Sequence, residues 1–347
     1  MSMHIHAALP NLAENTLRYY RQIGIEDVTM PAQYTESGAS RPLVPPAQKS
    51  APPPLPPAWD IDQLLRISSR IRAFDLNPAC MDLPLSADIM MGRAGAGHDL
   101  DTLCGNIECA ATVGIKVVTY SFNALRASAG YAAVDGAGRG QARLRTFDHT
   151  SLENLPALSD VGEIGEEQMW NNLCRFLSAV VPTAERSGVI LASHPNDPPV
   201  PSYRHVAQPL YNLDSWKRMI EFIDSPSNCL FFDTGVTTEL AEDPVEVIQY
   251  FGHRKRIGMV HFRNVIVQVP YLKYIETFID EGDCNMSNSF RALQEVGYTG
   301  GIDPDHTPGI TGDCLDSRQG WAYAVGYMRA LRASVTESKS TATNLNV

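Results

Sequence analysis

The sequence predicts a single-domain α/β fold, a (β/α)8 TIM barrel, and three observations carry that expectation. Short β-branched or apolar runs alternate with longer segments of helical period, the pattern of βα units around a parallel sheet. Eight such runs and about eight helical segments are present, which is the barrel's count. The chain has 347 residues, a length that α/β barrels often fill as one domain although it would also suit two. An open, doubly wound sheet is the structural alternative.

The first run, 4–8, leads into a helix over 12–23 that stops at Gly24. After the second run, 27–30, the rhythm breaks. Residues 41–58 hold eight of the 24 prolines, which excludes a helix or an inner strand and predicts an extended loop. Loops after barrel strands lie on the active-site face, so this one either covers the pocket or makes a surface excursion. A helix over 59–71, a run near 74–81, a helix over 99–113 closed by Gly114 and a run at 116–122 resume the alternation. Residues 127–140 are dominated by Gly and Ala and read as a long loop. Neither they nor the glycines between Gly92 and Gly97 have the strand-to-helix setting of a phosphate loop. Helices over 166–187, 215–223, 244–251, 287–296 and 320–335 then alternate with runs at 188–194, 230–233, 258–262 and 301–305. Several of these helices are followed by a glycine (Gly188, Gly252, Gly297), where a left-handed backbone costs least. The barrel is expected to span 1–335, with 336–347 a flexible polar tail.

Composition narrows the function. Lys and Arg total 28 against 39 Asp and Glu, a formal charge of -11, with no basic stripe, so nucleic acid is excluded as a first reading. No apolar run is long enough to cross a membrane and the first residues do not read as a secretion signal, so a soluble, cytoplasmic protein is expected. The seven cysteines are scattered without a C-x-x-C pair, which argues against disulfides or a structural zinc site and suits a reducing compartment. A homo-oligomer is compatible with all of this.

Four runs end abruptly in a residue able to bind a divalent cation: His194 after Val-Ile-Leu-Ala-Ser, Asp233 after Cys-Leu-Phe-Phe, His261 after Gly-Met-Val, and Asp305 after Gly-Gly-Ile-Asp-Pro. In a parallel barrel the C-terminal strand ends converge on one mouth, so these side chains are expected to share a cavity. Two carboxylates brought together there repel unless a cation, a proton or Arg neutralises them. With neutral imidazoles they suit Mn2+, Fe2+, Co2+, Mg2+ or Zn2+. His306 diverges from Asp305 and is expected at the rim as a general acid or base. Arg263, two residues after His261, returns to the same face as a candidate carboxylate clamp. Asn196, Asp197, Asn123, Tyr120 and Arg126 are candidates to line the pocket or touch substrate hydroxyls, and His4 and His6 lie on the first strand.

At these residues the sequence resembles the mannonate dehydratase family of the xylose-isomerase-like barrels. The matching text is His194-Pro-Asn-Asp-Pro-Pro199, Phe232-Asp-Thr-Gly235, His261-Phe-Arg263, Glu281-Gly-Asp283, Pro304-Asp-His306 and Gly326-Tyr-Met-Arg-Ala-Leu331, within about 181–331. The resemblance implies a divalent metal, typically manganese, on His194, Asp233, His261 and Asp305, and acid–base work by His306. The family usually has cysteine where Asp233 stands, so the site here is harder and richer in oxygen. Its Asp-Trp-Thr-Arg run after the fourth strand is missing. Its second catalytic group, a tyrosine after the glycine near the last helix, has Tyr323 as nearest candidate. The implied reaction removes water from a sugar acid to give a 2-keto-3-deoxy acid, with Arg263, Asn196 and Asn123 as substrate contacts. The alternatives are a metal-dependent sugar or hydroxy-acid isomerase or epimerase, and a metal-containing barrel that only binds.

Overall fold

The computed structural model describes residues 3–35, 43–44, 46, 48, 50–125, 129–314 and 317–344, with side chains as far as 335. Eight parallel strands close a barrel: β1 (His4–Ala8), β2 (Asp27–Thr29), β3 (Asn77–Asp82), β4 (Val117–Ser121), β5 (Ile190–His194), β6 (Asn228–Asp233), β7 (Ile257–His261) and β8 (Gly301–Asp303). Each pairs with its neighbours in the chain, and β8 returns to β1 with Ile302 beside Ile5. Every strand falls on one of the eight expected runs, and the open sheet is excluded by the β8–β1 pairing.

Helical period decides which face each helix buries. Over Ile61–Arg72 the side chains of Leu64, Ile67, Ser68 and Ile71 are buried, one stripe at three- and four-residue spacing, and Asp60 caps the first turn by accepting from the Gln63 N–H. The main core fills the space between such stripes and the strands. A small second cluster of Cys80, Ala192, Phe231 and Met259 fills the barrel's interior.

Three expectations need amendment. Gly252 does not end its helix, which runs over Pro244–His253. Its smallness serves packing, because a Cβ there would sit 2.4 Å from Val296 Cγ2. Residues 127–140 are not one loop: Tyr131–Val134 pairs antiparallel with Leu144–Asp148, which joins Lys273–Glu276 and then Val265–Val269 in a four-stranded sheet outside the barrel. That sheet escaped the sequence reading because its strands are short and lie inside βα loops. The last helix, Arg318–Asn344, continues well into the segment expected to be a tail, and 345–347 lie outside the described residues. In the proline-rich segment, 43–44, 46, 48 and 50–58 lie in no helix or strand, while Pro42 and Pro45 lie outside the described residues, as does Arg126.

Candidate metal centre

Register sets the site. The β4–β5 pairing puts Ser121 beside His194, β6–β7 puts Asp233 beside His261, and β7–β8 puts His261 beside Asp303. Asp233, His261 and Asp303 therefore stand at one level of the barrel mouth, and the β5–β6 pairing of Ser193 with Leu230 brings His194 in from slightly lower on the adjacent strand. His194 Nε2 and His261 Nδ1 are 3.0 Å apart, and each is 3.4 Å from Asp233 Oδ2. Metal bonds of about 2.0–2.2 Å place neighbouring donors roughly 3.0–3.5 Å apart, so this triangle has the dimensions of a coordination face.

The surrounding bonds aim each donor. His194 Nδ1 is 2.7 Å from the Pro195 carbonyl and donates to it, which leaves the Nε2 lone pair pointing into the triangle. Asp233 is fully buried and divides its oxygens: Oδ1 accepts from the Val236 N–H at 2.8 Å and caps the helix Thr234–Glu239, while Oδ2 faces the imidazoles. Burial pushes the Asp233 carboxyl up, but Arg263 and then the two imidazoles hold it well below the carboxylate range. Burial likewise opposes charge on His261, yet Asp305 and then Asp233 carry its pKa up to about 9. Two imidazoles and a dry carboxylate in mutual contact fit a divalent cation, the charge that settles all three.

Asp305 stands apart from the triangle. β8 ends at Asp303, and Asp305 adopts a left-handed backbone, φ 63°, with its N–H bonded to Asp303 Oδ1 at 2.7 Å. Its carboxylate lies 3.7 Å from His261 Nε2, the nitrogen turned away from the triangle, and 3.4 Å from Arg263 Nε. From there it braces His261.

The structure corrects three expected substrate contacts. Arg263 is 2% exposed and spends its guanidinium on carboxylates: Nε on Asp233 at 3.0 Å, Nη1 on Glu239 at 2.8 Å and Nη2 on Asp197 at 3.2 Å. It is the counter-ion of a buried acidic cluster in which oxygens of Asp197, Glu239 and Glu276 converge, so that cluster already holds its cation. Burial there pushes Glu239 well above the usual carboxyl range. Asn196 is buried, accepts from the Leu210 N–H at 2.6 Å, and donates to the Phe122 carbonyl and to Asn123 Oδ1. The two asparagines fasten the loop after β5 to the loop after β4, and neither is among the residues that line the cavity.

Neither of the two expected acid–base groups is among the residues that line the cavity. His306 adjoins it next to Asp305, with Nε2 buried 3.0 Å from Glu276 Oε2 and 3.4 Å from Asp305 Oδ2. Tyr323 is 42% exposed, edge-on to Phe278 and beside the Arg139 guanidinium, and does not reach the cavity. Its place on the outer turn of the last helix explains this, since only residues at strand ends face inward. On β1, His4 pairs with Asp27 and His6 is buried against Thr29.

A cavity of about 370 Å³ opens over the triangle. His194, His261, Asp303 and Asp305 line it from β5, β7 and β8, and Thr29, Asp82, Thr119, Tyr120 and Ser121 from the adjoining β2–β4 wall, with Phe231 and Met259 below. No described residue of the proline-rich segment lines it. Sequence reasoning missed Asp82 by ending the third run one residue early, and missed Glu239 and Glu276 because nothing local marks a carboxylate that is buried against a distant Arg.

A sequence model of the D-mannonate dehydratase (UxuA) family matches residues 137–342, more than half of the chain. Mannonate dehydratase 2 of Halalkalibacterium halodurans is 27% identical over 80% of this chain and 85% of its own length. A mannonate dehydratase of Streptococcus agalactiae is 26% identical over 81% and 86%. Among solved structures, mannonate dehydratase from Streptococcus suis superposes with a TM-score of 0.82 at 21% identity, covering 98% of this chain and 95% of that one. An L-ribulose 3-epimerase reaches 0.58 at 15% over 98% of each chain, a likeness of fold alone. The family match over the C-terminal four barrel strands and the relatives that span most of the chain agree: this chain belongs to the mannonate dehydratase family.

Proposed function

We propose that the protein is a metal-dependent hydro-lyase that removes water from a mannonate-like sugar acid, giving a 2-keto-3-deoxy acid. The observation that carries the reading is the triangle of His194 Nε2, Asp233 Oδ2 and His261 Nδ1, which fits a divalent cation in a chain of this family. A cation held there supplies Lewis acidity toward the substrate's carboxylate and the neighbouring hydroxyl, and so acidifies the carbon beside the carboxylate. The oxygen donor at Asp233, in place of a thiolate, favours manganese or another hard ion.

The chain's own groups do the rest. His194 is kept in the ligating tautomer by Pro195, and Asp305 braces the outer nitrogen of His261. His306, whose Nε2 lies 3.0 Å from Glu276 Oε2, is the acid–base group: it takes the proton from the carbon beside the carboxylate or gives one to the departing hydroxide. Phe231 and Met259 keep the floor of the cavity apolar, which limits competing water. The relatives favour dehydration over isomerisation. Seven free thiols and the absence, among the described residues, of a helix long and apolar enough to cross a membrane support a place in the cytoplasm.

The test is a mass spectrum after incubating manganese-reconstituted protein with aldonates and ketoses in heavy water, with His194→Ala as control. Loss of one water from an aldonate, absent in the control, is the expected result. Deuterium uptake without loss of water refutes it in favour of an isomerase or epimerase.

A further inference from the structure

The cavity wall built from the ends of β2, β3 and β4 begins at Ser121, beside His194, and runs away from the candidate metal centre through Asp82 to Thr29, and the mechanism makes no use of it. Asp82 is the last residue of β3 and pairs in register with Thr119 of β4. Its carboxylate is exposed to the cavity, and Oδ1 accepts from the Thr119 hydroxyl. Oδ2 has no protein partner among the described residues, and neither has the exposed Ser121 hydroxyl two residues beyond Thr119. Thr29, on the same wall, has its hydroxyl oriented by His6 Nε2 at 2.8 Å. The wall is therefore a carboxylate flanked by fixed hydroxyls, and no Lys or Arg stands among the described residues that line the cavity.

An ionised carboxylate accepts hydrogen bonds and donates none, so the groups that suit Asp82 are hydroxyls, and adjacent hydroxyls of a polyol can serve it together. A second carboxylate or a phosphate at that end of a ligand would face Asp82 as a like charge, the arrangement by which sites exclude near-cognate ligands. We infer that Asp82, supported by Thr119, is the specificity-determining contact for the far end of the substrate. The site then takes a sugar acid whose tail is an uncharged polyol and rejects one ending in a second carboxylate or a phosphate. This rests on the sugar-acid reading above for which end of the ligand meets the metal.

The experiment uses the full chain loaded with manganese. Binding by calorimetry and turnover by loss of water are measured for a hexonate, the matching aldarate and the terminally phosphorylated hexonate, in wild type, Asp82→Asn and Ser121→Ala, with metal content and melting temperature as folding controls. The expected result is that wild type binds the hexonate at least tenfold more tightly than either doubly charged ligand. Asp82→Asn should raise KM for the hexonate about tenfold with little change in kcat, and should narrow the preference. Ser121→Ala should raise KM less and leave the preference intact. Equal binding of all three by wild type, or an unchanged KM and preference in Asp82→Asn, overturns the proposal even if the hexonate is dehydrated. Binding with an Asp82-dependent preference but no loss of water upholds it while the dehydratase reading falls, and no binding of any ligand overturns both.

Discussion

Asp233→Asn separates the two tasks that the structure gives this residue. The amide keeps its Oδ1, so the cap on Val236 survives, but it removes the charge that faces Arg263 Nε at 3.0 Å and the two imidazoles at 3.4 Å. Hydrogen bonds to charged groups contribute about 1.5–3 kcal/mol, and Arg263 retains Glu239 and Asp197, so the metal-free variant should lose about 2 kcal/mol. The larger signal is in the response to manganese. A ligand at a hundredfold excess over its Kd stabilises the native state by about 2.7 kcal/mol, and the variant, with one donor of the triangle neutralised, should lose most of that increment at the same concentration. Urea unfolding of both proteins, each with chelator and with manganese, gives all four values. A variant that keeps the full manganese increment refutes Asp233 as a ligand, whatever its metal-free stability.

His306→Gln should lower kcat by about 10²–10⁴-fold with metal content unchanged, the usual worth of one acid–base group, as read in steady-state loss of water. His6 gives a pH dependence in the metal-free protein. Burial, with a smaller part from His261, lowers its pKa from 6.5 to about 3, so the native state binds fewer protons than the unfolded chain between those values. Stability present above pH 6.5 is lost as pH falls toward 3, with a limiting slope of about 1.4 kcal/mol per pH unit, and His6→Gln should flatten that limb in unfolding curves taken from pH 7 to 4.5. Asn196→Ala strips the partners from the Leu210 N–H and the Phe122 carbonyl, and should cost about 2–3 kcal/mol by urea titration while sparing manganese affinity.

The barrel was legible because its signal repeats. Eight apolar runs, each answered by a helical stripe, leave little else for the chain to do, and errors of a residue or two at strand ends do not alter the closure. The convergence of the candidate ligands was legible for a related reason: strand ends converge in any parallel barrel, so a run that stops at His194, Asp233 or His261 already places that side chain. Asp305 lines the same cavity but from past the strand end, beyond Pro304 and on a left-handed backbone, a turn that the sequence reading did not foresee. The outer sheet carried no such redundancy. Its four strands have five residues or fewer, and the pairing that joins its two local pairs spans more than a hundred positions, as between Arg145 and Glu276, which no local period announces.

Arg263 shows where reading residue by residue stops. Strand alternation correctly brought it back to the face of His261, and a guanidinium at a barrel mouth is a reasonable clamp for a substrate carboxylate. What decides its role is the charge around it. Asp233, Glu239, Asp197 and Glu276 arrive from a strand end, a helix, a turn and the outer sheet, and each lies within 3.8 Å of the guanidinium. A buried Arg with this company is held by its neighbours, because breaking any contact leaves a charge unpaired in a dry interior. The same reasoning explains why a carboxylate serves at 233. One oxygen caps the following helix while the other meets both imidazoles and Arg263, whereas a single thiolate sulfur has no second atom for the cap. The metal centre and the acidic cluster behind it are therefore one electrostatic unit, joined through Asp233 Oδ2.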